Sequence, residues 1–161
     1  MKFFIFVLTL VFCISCKTKP QQTSKLNQAV VQDYADVFSK VEEDSLTNFI
    51  LNYEKLTTNE ICVMTIDSLP ENTKALRYAT DIAQNLGVGK ADKNNGLLLL
   101  IAKSDRQVAF ATGYGTETVL TDSICYHLIE STLIPNFKKQ MYYQGVRQVL
   151  DSVKTKWYWL L

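Results

Sequence analysis

Asn94-Asn95-Gly96-Leu97-Leu98-Leu99-Leu100-Ile101-Ala102 is the stretch that decides the fold. Its apolar run is far shorter than the roughly 20 residues needed to span a bilayer, and it leaves no polar face. It therefore reads as the central strand of a sheet covered on both sides. Working outward, Lys103-Ser104-Asp105 forms a turn and Gln107 to Thr112 is the return strand of a hairpin, ended by Gly113-Tyr114-Gly115. Upstream, Ile61-Cys62-Val63-Met64-Thr65-Ile66 is a second strand with apolar residues on both faces. Between the two strands, Ala75, Leu76, Ala79, Ile82, Ala83 and Leu86 mark a helix that stops at Gly87.

Three further helices flank this centre. Ser39-Lys40-Val41-Glu42 has the capping-box pattern, and the apolar spacing of Leu46, Phe49, Ile50, Tyr53 and Leu56 predicts a first helix over Val41 to Leu56. Thr121-Asp122 offers an N-cap and an anion for a third helix that Pro135 is expected to close. Tyr143, Val146, Val149, Leu150, Val153 and Trp157 predict a fourth. The expected order is α-β-α-β-β-α-α, an α/β fold with helices on both faces of a small mixed sheet. A right-handed crossover makes strands 61–66 and 97–102 parallel.

Composition narrows the function. The 161 residues carry 17 Lys+Arg against 16 Asp+Glu, so the clustered basic excess that phosphate recognition in nucleic acids requires is missing, and no nucleic-acid partner is expected. With 47% apolar and 20% charged residues, the chain is one packed domain.

The N-terminus reads as an address. Lys2, the apolar run Phe3 to Phe12 and Ile14-Ser15-Cys16 have the form of a secretory signal, and the ending resembles the lipobox of bacterial lipoproteins. The expectation is a signal peptide over residues 1–15, a lipid anchor on Cys16 with a flexible polar tether over 16–30, and a domain over 31–155. Position −3 from Cys16 is Cys13, where the lipoprotein pattern prefers an aliphatic residue. Removing 1–15 takes away Lys2 and balances the basic side chains against the 16 acidic ones. The expected location is outside the cytoplasm, at a membrane of the bacterial cell envelope, held through lipid on Cys16.

The catalytic motifs that need explicit spacing are missing. Gly87-Val88-Gly89-Lys90 lacks the P-loop pattern and follows a helix, and Thr118 stands where a dinucleotide fingerprint needs its third glycine. No serine lies in G-x-S-x-G, and once residues 1–15 are removed a single His with no C-x-x-C excludes the common zinc spacings. Cys62 and Cys125 read as buried thiols, with a disulfide between them as an alternative. What remains is oxygen chemistry. Asp33, Asp67 and Asp105 are expected at the carboxyl ends of the strands with Arg106, where ligands of open α/β sheets usually bind. Asn94, Asn95, Gly113 to Gly115, Glu117 and Asp122 fall at the opposite end. Carboxylate and amide oxygens suit a hard cation such as Ca²⁺; equally, Asp at element ends caps backbone N–H groups.

Val31-Gln32-Asp33, Gly87-Val88-Gly89, Asn94 to Ala102, Asp105-Arg106, Thr112 to Gly115, Leu120-Thr121-Asp122, Ile134-Pro135-Asn136-Phe137 and Tyr143-Gln144-Gly145 together resemble the TPM domain family in order and spacing. That resemblance implies a three-layer α/β/α sandwich, usually exported or membrane-attached. Some members of that family bind calcium, one plant member is described as an acid phosphatase, and others assist membrane complexes. The family often has Asp where this chain has Asn94. Two functions follow as expectations. One is a non-catalytic accessory module that binds Ca²⁺ through Asp33, Asp67 and Asp105, with Arg106 holding a carboxylate, and docks envelope or membrane-protein partners. The other is a metal-assisted phosphatase of the same fold, in which Arg106 stabilises transition-state charge. A plain Asp105–Arg106 hairpin salt bridge is the remaining reading of that pair.

Overall fold

The computed structural model describes residues 29–158. The expected signal, Cys16 and most of the tether lie outside these residues. The elements run β1 (Val31–Asp33), α1 (Lys40–Thr57), β2 (Glu60–Ile66), α2 (Ala75–Leu86), β3 (Gly96–Ala102), β4 (Gln107–Thr112), α3 (Tyr114–Glu117), α4 (Asp122–Leu128), a π-helical turn (Ile129–Leu133), α5 (Ile134–Phe137) and α6 (Tyr142–Tyr158). The sheet order is β1-β2-β3-β4; β1, β2 and β3 are parallel and β4 is antiparallel to β3. No described helix is long and apolar enough to cross a membrane.

The expected α/β class and mixed sheet are present, and β3 is its buried centre. Leu97 through Ala102 are at most 1% exposed. Burying each leucine contributes roughly 1.5–3 kcal/mol, and the period-2 geometry of a strand sends alternate residues to opposite faces. Leu97, Leu99 and Ile101 join Val63, Phe110 and the inner faces of α1 and α6 in one cluster. Leu98 and Leu100 join Cys62, Met64, Ala109 and Ala111 under α2 in the other. Alanines on both sides of that second interface, Ala75 and Ala79 facing Ala109 and Ala111, let α2 lie close to the hairpin.

Two expectations are corrected. A strand precedes α1: Val31, Gln32 and Asp33 pair in parallel with Val63, Met64 and Thr65. Three residues are too few to show a periodicity, so this strand is defined by its partner and not by its own pattern. Pro135 does not close the third helix. The chain stays helical from Asp122 to Phe137, and Pro135 falls in the first turn of α5, directly after the π-helical turn. In that turn the Ile134 N–H bonds back five residues to the Ile129 carbonyl. The wider winding relieves the clash a proline ring makes with a carbonyl one turn earlier.

The entry into α1 is tied to the sheet end by one carboxylate. Asp33 accepts hydrogen bonds from the backbone N–H groups of Val37 (2.9 Å) and Phe38 (2.8 Å) and from the Thr65 hydroxyl. Thr65, fully buried, in turn accepts the Ala35 N–H at 3.1 Å. The capping box follows as expected, with Ser39 N–H donating to Glu42 at 2.8 Å and Glu42 N–H to Ser39 Oγ at 3.4 Å. Asp33→Ala leaves two amides and a buried hydroxyl unpaired, so it should cost about 2–4 kcal/mol in a urea denaturation series. Asp67→Ala, which removes no side-chain bond of this kind, should change the same midpoint by less than about 0.5 kcal/mol.

Candidate functional site at the acidic end of the sheet

Two glycines bring the loop before β3 and the loop after β4 into backbone contact. A Cβ at Gly96 would overlap the carbonyl of Val88, and one at Gly113 would overlap the carbonyl of Asn94. With no side chain in the way, the Asn94 carbonyl accepts the N–H groups of Gly115 (3.0 Å) and Thr116 (3.3 Å). Thr116, fully buried, returns a hydroxyl bond to the Gly96 carbonyl at 2.9 Å. Asn94 itself is left-handed, at φ 49°, a conformation in which Asn is favoured over most residues.

This junction forms the floor of a cleft of about 580 Å³ between α2 and the α3–α4 segment. Its polar lining includes Lys90, Asn94, Thr112, Glu117 and Asp122, and Leu76 and Tyr114 stand at its sides with 59% and 81% exposure. Glu117 accepts one bond, from Thr112 Oγ1 at 3.3 Å. Asp122 lies in the first turn of α4, and its carboxylate accepts no hydrogen bond from the described residues. The two acids share a neighbourhood: both act on the Cys125 thiol, which burial first and then Asp122 and Glu117 push up to about 11.

Asn95 lies beneath this end as a brace. It is buried, its amide donates to the Thr58 carbonyl (2.9 Å) and to Asn59 (3.0 Å), and its oxygen accepts the Lys90 N–H at 2.9 Å. All of its polar atoms are engaged within the fold, which leaves none for a ligand.

At the other end of the sheet, the strand-end residues named from sequence are brought near one another but committed differently. Asp33 does reach that edge, because β1 runs parallel to β2. Its oxygens already take three donors. Asp105 accepts the Leu69 N–H at 2.6 Å, and the Asp67 carbonyl accepts the Ser104 N–H at 2.8 Å. Lys103 extends its ammonium to the Ala35 carbonyl at 3.0 Å, beside the loop that Asp33 holds. Among the described residues, no group of three or more His, Cys, Asp or Glu is arranged to hold a metal ion, and Arg106 forms no ion pair with Asp105. Asp33 is thus committed to the fold, with the Lys103 ammonium beside the loop it holds.

Cys62 and Cys125 are free thiols on opposite faces of the sheet: Cys62 packs under α2 and Cys125 against the α1–α6 side. The disulfide alternative is therefore absent. Burial pushes the Cys62 thiol up to about 12.

Comparison with known proteins follows the same geometry. The family model of the TPM domain matches residues 31–156. The solution NMR structure of an N-terminal domain from P. gingivalis is 28% identical, with a TM-score of 0.73 over 81% of this chain and 84% of that one. The N-terminal domain of the cg2496 protein from Corynebacterium glutamicum is 17% identical, with a TM-score of 0.63 over 80% of each chain. The BA42 protein from Bizionia argentinensis is 22% identical, with a TM-score of 0.63 over 74% of this chain and 80% of that one. The last two show likeness of fold. No curated protein matches the chain.

Gly113→Ala should lower the denaturation free energy by about 2 kcal/mol or more, because the Asn94 carbonyl must retreat from its two donors. The thiols give a pH test. Unfolded thiols ionise near 9.0, while the native ones hold their protons to about 12 and about 11. The unfolded state therefore binds fewer protons between these values, and stability is full below pH 9 and declines as pH rises above it. Peptide-resolved iodoacetamide labelling should find Cys62 protected until the protein unfolds, with Cys125 reacting slowly.

Proposed function

The chain belongs to the TPM domain family, and from that premise we propose that it is a non-catalytic, lipid-anchored module of the bacterial cell envelope that docks a membrane or envelope protein through the acidic cleft, with Ca²⁺ held at its rim. The observation that carries this reading is the pairing of two carboxylates, Glu117 with a single long hydrogen bond and Asp122, with the exposed apolar side chains Leu76 and Tyr114 around one cleft. Aromatic residues beside a few polar groups are the usual makings of a protein contact. Glu117, Asp122 and the Asn94 amide supply hard oxygen donors, and Ca²⁺ fills the rest of its shell with backbone carbonyls and water. The ion would neutralise the two acids and bridge them to a partner's carboxylate or carbonyl.

Chain direction supports the same assignment. β1, β2 and β3 are parallel, so the chain enters the domain at the end of the sheet that carries the cleft. Ala29 and Val30 line a hollow together with Gly87, Val88 and Lys90, which also border the cleft. A lipid on Cys16 would therefore keep the domain, and this cleft with it, close to the membrane, where an integral membrane partner presents itself.

Millimolar CaCl₂ should raise the melting temperature by roughly 3 °C, as a ligand of the native state does, and Asp122→Asn with Glu117→Gln should remove the shift. Asp105→Asn should leave it in place. A calcium shift that survives the first pair of variants and disappears with Asp105→Asn would return the ion to the other edge. Turnover of p-nitrophenyl phosphate by the purified protein, at acidic or neutral pH, would replace this reading with the phosphatase of the same fold. Cys16→Ala should move the protein from the membrane fraction to the soluble one.

A further inference from the structure

The hollow that Ala29 enters is a cavity of about 480 Å³ between α1, the first half of β2 and the end of α2. The sheet is incomplete beside it. β1 pairs only with Val63, Met64 and Thr65, so Glu60, Ile61 and Cys62, the first three residues of β2, have no strand on that side among the described residues. The Val63 N–H donates to the Val30 carbonyl at 2.8 Å, and a residue two places earlier in a strand turns its backbone groups to the same edge. The Ile61 N–H and carbonyl therefore point toward the hollow.

The lining has an apolar part and a charged part. Leu51, Leu86 and Val88 form the first, and Leu51, on α1, is left 46% exposed. Glu54, Glu60 and Lys90 form the second, and sum to one negative charge. Lys90 pairs with Glu60 and, at 3.6 Å, with Glu54, while the Gly89 N–H donates to Glu60 at 2.6 Å.

The chain immediately upstream complements both parts. Residues 17–28 carry Lys17, Lys19 and Lys25 and no acid, and their one large apolar side chain is Leu26. Ala29 and Val30 already line the hollow. Three residues of chain span at most about 10 Å, so Leu26 cannot lie far from it. Carrying the register of β1 backward sets Val30 opposite Cys62, Ala29 opposite Ile61 and Gln28 opposite Glu60, which is the whole of the uncovered stretch.

We propose that the hollow is the seat of the chain's own segment Lys25-Leu26-Asn27-Gln28. Gln28 completes the cover over β2, Leu26 lies on the wall of Leu51, Leu86 and Val88, and Lys25 meets Glu54 and Glu60. Because Gly87, Val88 and Lys90 border both the hollow and the acidic cleft, a seated segment braces one wall of that cleft. It also shortens the leash to residues 17–24, at most about 28 Å of chain. The seat needs neither the lipid nor the calcium reading; only the leash length rests on the lipid anchor.

The test uses the full chain in detergent micelles. A carbodiimide, which joins an ammonium to a carboxylate in contact, should link Lys25 to Glu54 or Glu60 at the mass of the monomer, as read by peptide mass mapping. Links spread equally over Lys17, Lys19 and Lys25 overturn the seat, and links found only at the dimer mass overturn it in favour of a second copy. Hydrogen exchange gives an independent readout. Leu26→Asp should speed exchange of the Ile61 amide at least tenfold and leave the amides of β4 unchanged, and Thr18→Asp should alter neither. Equal Ile61 exchange in parent and Leu26→Asp, or acceleration spread evenly over β4 and α6, overturns the proposal.

Discussion

The structure depends on a backbone-to-backbone contact that only glycine permits. At Gly96 the chain passes against the Val88 carbonyl, and at Gly113 against that of Asn94. The first contact fixes how the crossover from α2 enters the central strand, and the second fixes where the hairpin's return strand ends. Because Gly96 pairs with Glu60 across β2 and Thr112 with Leu97 across β4, the same small region sets the register of three strands. Every polar group there is answered locally: Asn95 by Thr58, Asn59 and Lys90, and Thr116 by Gly96. Among the described residues, no buried side-chain polar atom lacks a partner. A cleft with a rigid floor is the consequence, and the side chains at its rim are held by backbone that has little freedom to move.

The near-neutral total charge is repeated locally: Glu117 and Asp122 share one end of the sheet with Lys90, and Lys103 and Arg106 share the other with Asp33, Asp67 and Asp105. Exposed pairs such as Arg77–Asp81 and Arg147–Asp151 are i,i+4 bonds within one helix and neutralise themselves; each contributes only a few tenths of a kcal/mol. A whole-chain charge near zero therefore weakens long-range steering.

The sheet's centre was legible because burial on both faces leaves one signature, an unbroken apolar run, and β3 carries it for seven residues. The capping box of α1 was legible because it is a contact between residues three apart. β1 was not, since three residues acquire a strand conformation only from pairing with β2. Pro135 misled because its local rule assumes a regular α-helix, and the π-helical turn just before it changes the winding. The strand-end aspartates were correctly placed in space, yet position does not reveal occupation: the capping and ligand readings of Asp33 use the same oxygens, and the Val37, Phe38 and Thr65 donors take them. The cleft acids were visible in sequence but lay at the end that the rule for parallel sheets disfavours.

That rule is not violated once the antiparallel strand is counted. Ligands gather at carboxyl ends of strands because the loops that leave them are free to vary without disturbing the sheet. Three strands end at one edge, where the turn leaving β3 carries Lys103, Asp105 and Arg106. The fourth, β4, ends at the acidic edge, and the loop leaving it carries Tyr114, Glu117 and, further on, Asp122. A purely parallel sheet would have offered one such edge. The hairpin gives this fold two, and because β3 and β4 leave in opposite directions, each edge receives the outgoing loop of one of the two strands, which is how a domain this small carries a cleft at either end of its sheet.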